Sequence, residues 1–173
     1  MTLLETERLI LRRFREEDLD AFAEICADPA VMRYASLSGQ PLTRVQAWNW
    51  MCLVEGHWEL RGYGMWAAVG KAHGRLIGRI GLQYPEDFPG IEIAWLLEKD
   101  SWGQGLAYEG ACAALDFGFD HLELERLISL IFPENLRSIR LAERLGETHC
   151  GEFDLQGKSL LVYEIFKADW SGC

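Results

Sequence analysis

The segment SWGQGLAYEG, Ser101 to Gly110, restricts the fold more than any other part of the chain. It sets Gly103 and Gly105 one residue apart and runs directly into a small, apolar stretch. Upstream, GIEIAWLL reads as a short buried strand, and downstream, ERLISLIF reads as another. Strand, glycine loop, helix and strand in that order read as a crossover connection. Within the helix, Glu109, Asp116, Asp120 and Glu123 fall on one polar stripe, while Ala111, Cys112, Ala113, Ala114, Leu115 and Phe117 are small or apolar. A helix packed on most of its surface has a fixed N-terminus with free backbone N–H groups, and glycines beside it let a ligand approach the backbone. The segment therefore reads as an anion cradle, with a tight loop that needs glycine only for its turn as the plainer alternative. A Walker loop requires Lys followed by Ser or Thr, which GLAYEG does not offer. A dinucleotide fingerprint requires a third glycine where Tyr108 stands, although Gly110 lies close by.

The rest of the chain supplies the sheet around this crossover. ERLILRRF reads as a strand, and REEDLDAFAEICADP as a helix stopped by Pro29. A second helix is expected from Thr43 to about Arg61, then the strands GMWAAVG and GRLIGRIGLQY ahead of GIEIAWLL. After the crossover, whose helix is expected to end near Leu122, comes the helix ENLRSIRLAERLG, stopped by Gly146, and two strands in ETHCGEFD and KSLLVYEIF. About seven strands and four helices in mixed order define an α/β (α+β) domain with a largely antiparallel sheet. No linker or repeat divides residues 1–173, so one domain is expected.

Composition excludes several classes. A net charge of -10 lacks the electrostatic footprint of a nucleic-acid binder and is an ordinary route to solubility. No apolar run approaches a membrane span, and the N-terminus lacks a signal-peptide core. The five cysteines are scattered without a CxxC pair, which suggests neither a disulfide framework nor a zinc site and fits a reducing cytoplasm. His57, His73, His121 and His149 have no metal spacing, so packing or surface roles are expected of them.

Glu92 is the outstanding titratable residue. It alternates with apolar neighbours: Ile91, Ile93, Trp95 and Leu97 share one face of the strand, Glu92, Ala94 and Leu96 the other. Burial there disfavours the ionised carboxylate and raises its pKa toward neutrality, as a general base requires. The alternative is a place near an exposed strand end, paired with Lys or Arg. In the later helix, Asn135 suits an N-cap and Ser138 a first-turn residue bonded to backbone, while Arg137, Arg140 and Arg144 form one basic stripe. That stripe is either a solvated face or a set of partners for phosphate, with Arg140 or Arg137 the candidates.

The glycine segment, TERLILRRFREEDLDAFAEICADPAVMRYAS and PENLRSIRLAERLG, in this order, resemble the GNAT superfamily of acyl-CoA-dependent N-acetyltransferases. Within it the chain looks like the Rim-type branch, whose members acetylate ribosomal-protein N-termini. The resemblance runs from Thr6 to Trp170 and implies the GNAT fold, with a splayed parallel strand pair at the acyl-CoA site. It implies acetyl-CoA as cosubstrate, no metal, and transfer of the acetyl group to a primary amine by direct attack in a ternary complex. By the same resemblance, Trp102, Gly103, Gln104, Gly105, Leu106 and Ala107 wrap the coenzyme pyrophosphate. The strand before the loop is bulged in the family, and backbone at Leu96 and Leu97 pairs with the pantetheine arm. Glu92 would act as base, Asn135 would contact the pantetheine region, and Arg140 would meet phosphate. Trp102 stands where the family usually has Gln or Arg, and Glu147 where it has Phe. Ala142 occupies the place of a tyrosine acid, leaving Ser138, water or unaided departure of the thiolate. Trp48, Trp50 and Trp58 lie on a helix that walls the acceptor site in this family. The acceptor would be a small-molecule amine or a protein N-terminus, and a homodimer is compatible with the sequence. Ala142 also keeps open a non-catalytic acyl-CoA-binding or regulatory module of the same fold.

Overall fold

The computed structural model describes residues 3–173. Its elements are β1 (Leu4–Glu5), β2 (Leu9–Arg12), α1 (Leu19–Ala27), α2 (Pro29–Met32), α3 (Arg44–Arg61), β3 (Met65–Gly70), β4 (Arg75–Gln83), β5 (Glu92–Leu97), α4 (Leu106–Asp116), β6 (Arg126–Ile131), α5 (Leu136–Leu145), β7 (Thr148–Leu155) and β8 (Lys158–Phe166). They form one eight-stranded sheet in the order β1-β2-β3-β4-β5-β6-β8-β7, antiparallel throughout except for the parallel pair β5–β6. The strand beyond the expected count is the two-residue β1, too short to show a period in sequence.

Local chemistry sets the helix ends. Thr43 and Gln46 form a reciprocal capping box at the start of α3, and Gly62, with φ 75°, closes it. Asn135 caps α5, and Gly146 ends it with φ 91°. Pro29 follows the end of α1 at Ala27, as expected, and also opens α2, because Asp28 caps that helix through the Ala30 N–H and the first helical position tolerates proline. The crossover helix ends at Asp116 and continues as a wider π turn over Phe117–His121.

The core lies on both faces of β3 and β4, with Trp66, Phe22, Phe119, Leu9 and Ile80 among its fully buried side chains. Each such burial contributes about 1.5–3 kcal/mol. Gly110 of α4 faces Ile80, whose Cδ1 leaves no room for an added Cβ, so helix and sheet meet as closely as a missing side chain allows.

One expectation about cysteine is corrected: Cys112 and Cys173 form a disulfide across 61 residues. Spacing could not show it, because the pairing depends on the C-terminal segment returning to α4, where the Trp170 indole N–H donates to Asp116 Oδ1 at 2.8 Å. Cys26, Cys52 and Cys150 remain free.

The parallel pair determines the site. β5 and β6 share a single ladder pair, Glu92 with Ile128, where the Ile128 N–H donates to the Ile91 carbonyl at 3.0 Å. Beyond it, side chains take over the ladder. The Leu130 N–H donates to Glu92 Oε1 at 3.2 Å, and the Ser129 hydroxyl donates to the Ile93 carbonyl at 3.1 Å. The strands part from this point. The bulge implied by the family resemblance is absent from the pairing with β4, which stays in register from Gly78–Leu97 to Gln83–Glu92. Separation is achieved on the β6 side alone.

Candidate active site

Two clefts meet where the strands part. The first, of about 370 Å³, runs from the parted strands past the glycine loop to α5. Leu96 and Leu97 form its floor at the end of β5, and Trp102, Gly103 and Gly105 form its wall. Gly103 and Gly105 have φ of 73° and 78°, a left-handed conformation that other residues adopt only at a cost. Gly105 is the N-cap of α4, and among the described residues no side chain caps that end. The N–H groups of the first turn, which begins with Leu106 and Ala107, therefore have no partner within the helix.

The loop is braced from both sides. The Trp102 indole N–H donates to the Leu97 carbonyl at 2.8 Å, tying the loop to the strand end. Arg8 Nη1 donates to the Gln104 carbonyl at 2.8 Å, and Arg8 Nε pairs with Glu109 at 2.6 Å. Burial alone would raise the Glu109 pKa, but hydrogen bonds from Thr6 and from the Arg8 backbone and side chain outweigh it and hold the carboxyl below its ordinary value. The Gln104 side chain turns back to the Asp100 carbonyl at 2.7 Å, so this residue braces the loop rather than lining the cleft.

Asn135, Ser138 and Arg140 border the cleft from α5. Arg137 stacks on Trp102 and Arg144 on Tyr108, at 3.5 and 3.9 Å from the ring centroids. The basic stripe thus faces the cleft rather than lying wholly in solvent. A glycine-lined helix start beside three arginines suits a polyphosphate, and the apolar strand end suits a thioester arm, so these residues fit an acyl-coenzyme.

The second cleft, of about 390 Å³, carries Glu92 and shares Tyr34, Trp95, Asn135 and Ser138 with the first. Glu92 is not at an exposed end; it is 6 % exposed. Burial pushes its pKa up to about 7, against hydrogen bonds from Gln83 and the Leu130 N–H and the attraction of Arg79. Gln83 Nε2 lies 2.5 Å from Oε2. Each carboxylate oxygen thus has one donor and keeps a second lone pair.

Ser138 Oγ accepts from the Trp95 indole at 3.2 Å and from Asn135 Nδ2 at 2.9 Å, which leaves its own hydrogen to be donated. Asn135 also caps the helix, so its two readings coexist. Ala142, in the place of a tyrosine, is fully buried.

Several site residues had no signal in the sequence. Gln83 is read only once β4 is laid against β5. Ser129 is an ordinary strand serine until the gap beside it is seen. Glu147, a departure from the family pattern, has Oε1 3.1 Å from the Ser129 hydroxyl oxygen, and its other oxygen has no hydrogen-bond partner among the described residues. Burial pushes its pKa up to about 8, opposed by the Ser129 hydrogen bond and reinforced by Glu92. A protonated Glu147 donates to Ser129, which in turn donates to Ile93. His57 has a packing role: the Tyr84 N–H donates to its Nε2 at 3.1 Å. Among the described residues no cluster of His, Cys, Asp and Glu could hold a metal ion, and no helix is long and apolar enough to cross a membrane.

Comparison with known proteins agrees with this geometry. Residues 8–148 match the family model described as an acetyltransferase (GNAT) domain. An uncharacterized Bacillus subtilis protein, YkkB, is 35% identical over 169 residues, covering 94% of this chain and 95% of that protein. The crystal structure of an acetyltransferase from Agrobacterium tumefaciens has a TM-score of 0.83 and 31% identity, covering 95% of this chain and 94% of that one. A putative ribosomal-protein-serine acetyltransferase from Vibrio cholerae shares the fold, with a TM-score of 0.77 at 20% identity over 95% of this chain and 97% of that one. The splayed strand pair, the glycine loop and the match over most of the sequence lead to one statement: the chain belongs to the GNAT acetyltransferase family.

Proposed function

We propose that the protein, as one domain over residues 1–173, transfers an acetyl group from acetyl-CoA to a primary amine by direct attack in a ternary complex. The observation that carries this reading is the position of Glu92: a buried carboxyl with a pKa near about 7, at the point where the strands part, in a cleft that opens onto the glycine-loop cleft. Acetyl-CoA would supply the thioester, held by the Trp102–Ala107 loop, by backbone at Leu96 and Leu97, and by Arg137, Arg140 and Arg144 at the rim. An ammonium has no lone pair, so Glu92 takes its proton, directly or through water. The amine nitrogen then bonds to the acetyl carbon as the carbon–sulfur bond breaks, the electron pair leaves with sulfur, and the second proton on nitrogen passes to the departing thiolate. Ser138, which borders both clefts and whose hydroxyl hydrogen is free, would relay that proton, giving its own hydrogen to the thiolate as it takes the one from nitrogen. A coenzyme thiol is acidic enough that this step is an aid rather than a requirement.

The test measures thiol release from acetyl-CoA with peptides bearing free N-termini, polyamines and aminoglycosides. Turnover above hydrolysis with at least one amine, lost in Glu92→Gln while acetyl-CoA still binds, is expected. Binding of acetyl-CoA without turnover by any amine would favour the non-catalytic coenzyme-binding module instead.

A further inference from the structure

The Glu92 cleft holds a second buried charge that the acetyl transfer leaves unused. Arg79 lies on β4 on the same face as Gln83, so the cleft wall runs from Glu92 and Gln83 toward its guanidinium. The residue is only 9 % exposed, and the guanidinium lies over the Trp50 ring at 4.4 Å from the centroid. Its Nη1 is shielded from water and has no hydrogen-bond partner among the described residues.

A buried guanidinium with an unmet donor is costly to the fold unless something pairs with it. Nothing nearby does so fully. Glu92 keeps lone pairs beyond those that Gln83 and Leu130 use, but its oxygens make no hydrogen bond to Arg79 Nη1. Burial lowers the Arg79 pKa, opposed by the charge interactions with Cys26 and Glu92. The Trp50 ring offers its face but no hydrogen-bond acceptor. Coenzyme phosphates have their own cations, Arg137, Arg140 and Arg144, around the other cleft. What remains is the occupant of the cleft itself. A planar guanidinium fixed on an aromatic ring matches a carboxylate, which accepts two of its N–H groups at once.

We propose that Arg79 reads a carboxylate on the acceptor, so that the preferred acceptors are amines that also carry a carboxylate group. The inference rests on the reading of the Glu92 cleft as the acceptor site and deepens it: amine toward Glu92, carboxylate toward Arg79.

The experiment compares amine pairs that differ only by the carboxylate: amino acids of increasing chain length against the amines left by their decarboxylation, and dipeptides ending in Asp against the matching Asn amides. The carboxylated member should have a kcat/KM about 10- to 100-fold higher, the range for a hydrogen bond to a charged group. Arg79→Met should bring the two members of each pair level, and Arg79→Lys should keep part of the preference. The ratio is taken within one preparation, so a smaller folded fraction of a variant does not move it. Equal rates for both members, or a preference that survives in Arg79→Met, would overturn the assignment while leaving acetyl transfer intact. If no amine is turned over, the acetyl-transfer reading fails on its own. Calorimetric titration of the coenzyme A-loaded protein with the same pairs then decides the subsite: tighter binding of the carboxylated member, lost in Arg79→Met, supports it, and no difference sinks it.

Discussion

The carboxylate of Glu92 occupies the ladder position that a strand carbonyl would hold, accepting the Leu130 N–H at 3.2 Å where β5 and β6 separate. One residue thus terminates the parallel pairing and presents a titratable group at the opening it makes. Removing its charge should be felt in both roles.

Glu92→Gln preserves an acceptor for Leu130 but cannot take a proton, so it should cost about 10²- to 10⁴-fold in kcat, with acetyl-CoA affinity little changed. In the native protein, kcat/KM should rise with pH through about 7, as the carboxyl ionises. A variant that loses coenzyme binding instead would assign Glu92 to structure rather than to proton transfer.

Glu147 sets a pH window for stability. Its folded pKa, about 8, lies above the ordinary value of 4.5, so the folded state binds the proton more tightly than the unfolded chain. The resulting stabilisation is complete below the unfolded pKa and is lost as pH rises through about 8. Glu92 adds a loss in the same direction that ends near about 7. Urea midpoints should therefore fall between pH 5 and 8 in the native protein, and less so in Glu147→Gln, where the slope above about 7 should nearly vanish. At pH 7 Glu147 is mostly protonated and uncharged, so the same substitution should leave the activity profile centred where it is in the native protein.

The loop brace separates binding from chemistry. Arg8→Ala removes the bond to the Gln104 carbonyl and the pair with Glu109 without touching the clefts. Because Arg8 is partly exposed, KM for acetyl-CoA should rise only about threefold to tenfold, with kcat nearly constant. Gly105→Ala imposes a left-handed φ on a residue with Cβ, at about 1–2 kcal/mol, and should weaken coenzyme binding more. Equal KM values for Arg8→Ala and the native enzyme would show that the loop holds its shape unaided.

Denatured without reductant, the protein should titrate three thiols, and after reduction five. Cys112→Ser should lower stability by up to about 4 kcal/mol, the loop-closure entropy of a bridge of this span. Five reactive thiols before reduction would rule out the bridge.

Much of this arrangement was legible beforehand because it depends on backbone chemistry that sequence displays openly. Gly103 and Gly105 announce a left-handed loop, Thr43 and Asn135 announce helix starts, and a glutamate inside GIEIAWLL announces a buried charge. The rest depends on register. Gln83 meets Glu92 only through the β4–β5 pairing, and Ser129 meets Ile93 only across a gap whose existence is a tertiary fact. Arg79, inside GRLIGRIG, is known to be buried only once Trp50 of α3 is laid against it. Pro29 marks the end of α1 as expected, but the four-residue α2 that it opens is too short to show a period.

The single ladder pair between β5 and β6 has a mechanical consequence. The sheet consists of two leaves, β1 to β5 on one side and β6, β8 and β7 on the other, stitched by one pair and by the side chains of Glu92 and Ser129. A seam of this kind is the compliant line of the molecule. A ligand lying along it with its own donors and acceptors would complete the stitching, so that the coenzyme, in binding, would also serve as a piece of sheet.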